Sequence, residues 1–273
     1  MRLLEGKVAI ITGGGSGIGK GIAEVFAREN ASLVITGIDF LDTSDNHCES
    51  KQIDGYKNAV SFVQELTEMG IKAIALESNV TLWNDVQKMV DETMNTFGKI
   101  DILVNNAGIA TRNRLEDLSE QEWDNLMEVN SKGVFLCCKA VVPIMKKNRT
   151  GKIINIASVS GKRGYPGQSH YCASKFAVVG FTNAIAMELA PDNINVNAIC
   201  PGIVATRMWE YSRKKKALPG EDGEAAFQRT VKEGIPLGVP QTPAAIGETA
   251  LFLALSEHIT GQAINVDGGM VFP

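Results

Sequence analysis

Lys7-Val-Ala-Ile-Ile-Thr-Gly-Gly-Gly-Ser-Gly-Ile-Gly19 is the stretch that decides the fold of this chain. An apolar run of strand length ends at Thr12, a glycine cluster follows at once, and a helical pattern opens at Gly19. Strand, glycine turn and helix in that order form the first half of a βαβ unit, and the unpaired N–H groups at the helix start attract a pyrophosphate. The spacing of Gly13, Gly17 and Gly19 is G-x-x-x-G-x-G, with Ser16 and Ile18 between them. It differs from the G-x-G-x-x-G of many dinucleotide sites, and the absence of a following Gly-Lys-Ser/Thr argues against an ATP loop.

Outward from that stretch, six more apolar runs alternate with helical patterns. The runs cover 7–12, 33–36, 73–77, 100–104, 151–156, 195–199 and 263–266, and none has a period of two, as expected of strands covered on both faces. Helices are predicted over 19–29, 59–69, 83–97, 119–147, 169–189 and 244–255. The alternation predicts an α/β fold, a doubly wound, mostly parallel Rossmann-type sheet with helices on both faces, in a single domain over 1–273. Two stretches break the rhythm. Residues 40–56 are long and polar for a βα loop, and 202–238 follow the sixth strand as a lid-like segment; both start at strand carboxyl ends, where such sheets bind ligands.

Composition excludes several classes. The 273 residues are 44% hydrophobic and 21% charged with a formal net charge of −4, the profile of a soluble globule rather than of a nucleic-acid or acidic-lipid binder. The basic run 213–216 is followed by Glu221, Asp222 and Glu224 and reads as a solvated face. No apolar run reaches the ~20 residues of a membrane span. The start of the chain enters a strand without a signal-like segment, so a cytoplasmic location is expected. Five cysteines form no C-x-x-C pair, and the histidines at 47, 170 and 258 have no metal-ligand spacing, so no metal is expected. His47-Cys48 is at most half of a metal site.

The chemistry is concentrated in Ser169-His-Tyr-Cys-Ala-Ser-Lys175. Tyr171 and Lys175 are four apart, one turn of a helix, on one face. An ammonium beside a phenol favours the phenolate, so the Tyr171 pKa is expected well below about 10. Such a tyrosine is a general acid/base for an alcohol or carbonyl. Ser158 lies thirteen residues upstream.

With these motifs in order, namely the glycine loop, Asn105-Asn-Ala-Gly108, Asn130, Ser158, Tyr171-x-x-x-Lys175 and Pro201-Gly202, the chain resembles the short-chain dehydrogenase/reductase family across essentially its whole length. The resemblance implies that Asn130 holds a water linking Lys175 to solvent, and that Ser158 hydrogen-bonds the reacting oxygen. It also implies that Tyr171 transfers the proton while Lys175 bonds the nicotinamide ribose. Asn106, Ala107 and Gly108 would pass beneath the adenosine and ribose. Pro201, Gly202 and Ile203 would border the nicotinamide, and Thr206 its carboxamide. Relatives are mostly homotetramers, with 119–147 and 169–189 as shared faces.

NAD is the expected cofactor. A 2′-phosphate is met by Arg or Lys near the second strand's end or in the glycine loop, and here those positions hold Ser16 and Gly37-Ile38-Asp39. Asp39 is suited to the ribose hydroxyls, although NAD-using relatives carry the acid where Gly37 stands; Gly37→Asp is expected to leave NAD use intact. Asn79-Val80 stands where the family places Asp-Val against the adenine, and Asn79 is expected to accept from the adenine amino group. Thr206-Arg-Met-Trp209 and the ending 267–273 resemble members that oxidise small polyols or vicinal diols such as butanediol, with Trp209 on the lid. His170 reads as structural or solvent-facing. The substrate is therefore expected to be a small alcohol or ketone. Alternatives are an NADPH-dependent 3-ketoacyl reductase, a hydroxysteroid dehydrogenase, or a dinucleotide-sensing protein without turnover.

Overall fold

The computed structural model describes residues 2–42, 51–206 and 218–272. Seven strands form one parallel sheet: β1 (Val8–Ile11), β2 (Ser32–Gly37), β5 (Ala73–Glu77), β6 (Ile102–Asn105), β7 (Gly151–Ile156), β8 (Ile194–Pro201) and β9 (Ala263–Val266). Their spatial order is β5-β2-β1-β6-β7-β8-β9. The chain winds outward from β1 to β5, then returns to β6 and winds the other way. That reversal opens a crevice at the carboxyl ends of β1 and β6, and the glycine stretch and Asn105–Gly108 both lie there.

The lack of alternation in the strands has a direct cause. Ala9 and Ile11 of β1 pack with Leu33 and Ile35 in a core beneath α1 (Gly17–Arg28), α2 (Gly55–Glu68) and, through Ile246 and Leu253, a helix near the end of the chain. Ile10, Val34 and Leu103 point the other way, into a core shared with α3 (Trp83–Phe97), α5 (Gly133–Asn148) and α6 (Ser169–Leu189). Both faces of the strands are buried, so both must be apolar.

Three departures from the sequence reading concern the site. Residues 40–56 are not a loop throughout: β3 (Asp39–Asp42) and β4 (Lys51–Asp54) pair antiparallel as a hairpin running into α2, while the His47-Cys48 reading lies outside the described residues. The predicted helix 119–147 is broken. It begins as α4 (Glu120–Met127), capped by a reciprocal Ser119–Glu122 box, passes through a π-helical turn, Glu128–Lys132, and resumes as α5. The 202–238 segment contains α7 (Gly223–Gly234), whose Phe227 and Val231 pack with Ile203 and Ile235 in a small core of their own. Trp209 and the basic run 213–216 lie outside the described residues. The helix near the end of the chain is α8 (Pro243–Leu255), which crosses α1 so closely that Gly21 meets Pro243.

Candidate active site

The glycine stretch is held from two sides. The Thr12 hydroxyl accepts from the backbone N–H groups of Asn106 and Ala107, both at 3.0 Å. The Asn106 amide donates to the carbonyls of Thr12 (2.9 Å) and Gly13 (3.0 Å). Gly13 (φ +63°) and Gly17 (φ +53°) lie in the left-handed region that side chains disfavour. A Cβ on Gly19 would lie 2.5 Å from the Asn106 amide nitrogen, and one on Gly15 2.6 Å from the Ala59 nitrogen of α2. Ser16 stands at the N-cap of α1, and Ile18 packs against the core beneath it. The loop is a bare backbone cradle at a helix start, and it fits a pyrophosphate. Thr206 is brought in from the far side of the sheet, since a Cβ on Gly17 would lie 3.5 Å from its methyl group.

At the adenosine end, Asp39, Gly37 and Asn79 are each fixed by a neighbouring segment. Asp39 presents a carboxylate whose Oδ1 accepts from the N–H groups of Tyr56 (2.8 Å) and Lys57 (3.2 Å) at the start of α2. Gly37 has no room for a side chain, because a Cβ there would overlap the carbonyl of Gly55. The hairpin brings Gly55 onto the end of β2, which accounts for glycine at this position and shows that the acid cannot sit there. Asn79 differs from the expected acceptor: its Oδ1 already accepts from the N–H (3.0 Å) and hydroxyl (2.9 Å) of Thr81. Val80 is buried against Gly133.

The titratable group forms where α6, the end of β7 and the π turn converge. Asn130 is fully buried; its amide donates to the Ile109 carbonyl (2.9 Å) and Ser174 hydroxyl (3.1 Å), and its Oδ1 accepts from the Ile109 N–H (2.9 Å). Asparagine in the middle of this helix therefore coincides with a π turn, a distortion frequent at functional sites. Asn130 and Lys175 flank Gly108: a Cβ there would lie 3.1 Å from Asn130 Oδ1 and 3.8 Å from Lys175 Nζ. Lys175 Nζ, buried, donates to the Ile156 carbonyl at 2.9 Å and lies 5.8 Å from the Tyr171 ring centre. Ser158 Oγ accepts from the Ser160 N–H at 3.1 Å and hydrogen-bonds the Tyr171 phenol.

The electrostatics run opposite to the expectation for Tyr171. Burial pushes its pKa up to about 12, against the lowering effect of the Ser158 hydrogen bond. Burial also pushes Lys175 down to about 8. Desolvation penalises the charged form of each, and for the phenol it outweighs the lowering effect of its surroundings. At neutral pH the phenol keeps its proton.

Gly202, between Pro201 and Ile203, seats against Gln241 and Met270 at the end of β8. His170, read as structural or solvent-facing, is fully buried, and its Nε2 lies 2.6 Å from the Thr111 hydroxyl. That bond ties the segment after β6 to the first turn of α6. Adjacent helix positions point different ways, so the sequence carried no signal for it. Among the described residues, no group of three or more His, Cys, Asp or Glu side chains is arranged to hold a metal ion.

A parallel sheet with a glycine cradle at its switch point, and a Ser–Tyr–Lys group facing it, defines a dinucleotide-dependent oxidoreductase. The chain belongs to the short chain dehydrogenase family, whose profile matches residues 7–217. It is an enzyme of the class that acts on CH–OH or keto groups with a nicotinamide cofactor. It is 40% identical over 270 residues to a 3-oxoacyl-(acyl-carrier-protein) reductase of Thermotoga maritima, covering 98% of this chain and 99% of the relative. Proteins of the same name from Synechocystis sp. (99% of each chain) and Staphylococcus epidermidis (97% of this chain, 98% of the relative) are 37% identical. None of these three is named a polyol or acetoin reductase, so the likeness expected from 206–209 and 267–273 yields to the ketoacyl alternative.

Proposed function

We propose that this enzyme reduces the 3-oxo group of an acyl thioester, with NADH as reductant. The observation that carries the substrate class is the near-complete, 37–40% identical coverage of relatives named for that reaction. The protonated Tyr171 supports the direction, since a neutral phenol is the proton donor that reduction needs. The bound nicotinamide supplies the hydride. Tyr171 gives its phenolic proton to the substrate oxygen as charge develops there, and Ser158 Oγ hydrogen-bonds the same oxygen. Lys175 stands beside Gly108, where it would bond the nicotinamide ribose. The Asn130 side chain is committed to Ile109 and Ser174, so a water-borne proton path past it would use the backbone opened by the π turn.

Asp39 supports NADH over NADPH. Its Oδ1 is fixed by α2, and no bond to its Oδ2 occurs among the described residues, which leaves an acceptor for ribose hydroxyls and a charge that repels a 2′-phosphate. Exposed Phe135 on α5, and Phe176 and Met187 on α6, support a homotetramer built on those helices. The buried free cysteines suit a reducing cytoplasm. The test is nicotinamide absorbance with NADH and NADPH against a 3-oxobutanoyl thioester, acetoin and a ketosteroid. Thioester reduction with NADH supports the reading; acetoin reduction alone would return the polyol reading.

A further inference from the structure

Tyr171 is the third residue of α6, and a helix start is held least by its own backbone, because its first N–H groups lack partners within the helix. Among the described residues no side chain caps this one: Gln168 at the N-cap makes no such bond, and the first turn carries no acidic residue. Further along, α6 is locked. A Cβ on Gly161 would lie 2.7 Å from the Lys175 carbonyl, and Lys175 Nζ holds the Ile156 carbonyl at 2.9 Å. In the first turn Cys172 adds a thiol contact of 3.8 Å to the Arg163 carbonyl. Ser158 bonds the phenol, but the substrate oxygen competes for that bond during turnover.

The segment after β6 stands in for the missing cap. Its alternate residues are tied in turn. Ile109 exchanges two bonds with Asn130, both at 2.9 Å, and the Thr111 hydroxyl meets His170 Nε2 at 2.6 Å. The Asn113 N–H donates to the Gly167 carbonyl at 3.1 Å, and both carboxylate oxygens of Glu122 brace the Asn113 amide at 2.9 and 3.0 Å. The outer ties reach the π turn and the residues before α6. The middle one reaches α6 itself, one residue before Tyr171. His170 is fully buried, and burial lowers its pKa against the opposing charge of Glu122 on α4, so the ring is neutral at neutral pH. A neutral imidazole has one donor and one acceptor nitrogen, and a hydroxyl matches either. The reaction as described gives this side chain no part.

We infer that His170 is a positioning residue: through Thr111 it fixes the uncapped first turn of α6 and so sets where the Tyr171 phenol meets the substrate oxygen. The inference rests on Tyr171 as the proton donor proposed above, and it holds for any keto substrate. A misplacement of about 1 Å at a reacting group costs on the order of 10²-fold in rate. The dinucleotide cradle is built from 13–19 and Asn106, away from this turn, so kcat and the dinucleotide KM should part company.

The experiment measures kcat and the NADH KM on a 3-oxobutanoyl thioester for four variants. His170→Phe and Thr111→Val each remove the bond from one side, the double variant removes both partners, and His170→Gln supplies an amide that can restore it. His170→Phe and Thr111→Val are each expected to lower kcat at least about tenfold with KM within about twofold. The double variant should be no slower than the slower single one, and His170→Gln should stay within about threefold of the unmodified enzyme. An unchanged kcat, a loss that appears in KM instead, losses that multiply in the double variant, or a glutamine variant as slow as the phenylalanine one overturns the proposal. If His170→Phe does not fold, Thr111→Val carries the test by the same kcat and KM criteria. If the unmodified enzyme reduces no thioester, the proposed function fails and the tie is read by hydrogen exchange. Faster exchange over 169–172 in Thr111→Val, with 176–189 unchanged, supports it, and equal exchange overturns it.

Discussion

The two halves of the site are built from different materials. On the dinucleotide side, backbone meets backbone: Gly15 against Ala59, Gly37 against Gly55, Gly19 against the Gly13 carbonyl. On the substrate side, titratable side chains do the work: the half-buried Tyr171, the buried Lys175 and, in the wall behind them, the buried His170. The first half should therefore be sensitive to added volume and indifferent to pH. The second should tolerate conservative changes of shape and respond to protonation.

The largest effect expected is on the substrate side. Tyr171→Phe keeps the ring and removes the proton, so turnover should fall on the order of 10³-fold while dinucleotide affinity stays within a few-fold, as read by steady-state rates and cofactor fluorescence titration. A variant retaining most of its rate would break the comparison at its centre.

Lys175 tests the pH half. Its folded pKa is about 8 against 10.5 for an ordinary lysine, so between those values the unfolded chain holds more protons than the folded one. Stability should then rise with pH across that window, by on the order of 3 kcal/mol, and Lys175→Met should flatten the slope. Tyr171 acts with the opposite sign above pH 10, where the folded state alone keeps its proton up to about 12. Denaturant melts at stepped pH separate the two, and an unchanged slope in Lys175→Met would remove the lysine as its source.

Gly37→Asp tests the volume half. The new side chain collides with Gly55, so the variant should lose about 1 to 3 kcal/mol at every pH, whichever dinucleotide is present. A variant as stable as the parent would show that the hairpin yields readily. Asp39→Ala should have the smallest effect: about 0.5 to 2 kcal/mol from the lost cap on α2, with a shift in dinucleotide preference towards NADPH measured by paired kcat/KM values.

Much of this was legible from residue order. Strand length, lack of alternation and the glycine spacing led to the sheet, because both faces of a parallel strand must be apolar wherever helices cover both sides. Ser158, Tyr171 and Lys175 were legible by spacing, since one helical turn joins two of them. Residues 40–56 were legible only as an interruption, and pairing of 39–42 with 51–54 depends on a register that polar sequence specifies weakly.

By itself, then, the sequence determined what local periodicity and steric permission can carry: the βα alternation, the cradle, and which side chains share a helix face. Only the tertiary structure decided that Gly37 is closed to an acid, that the Asn79 oxygen is taken up by Thr81, that the 119–147 helix breaks at Asn130, and that Tyr171 rests protonated. Each of these depends on what the folded chain places nearby, or on how much water the fold removes. Neither contact across the fold nor desolvation has a signature in the order of residues along the chain.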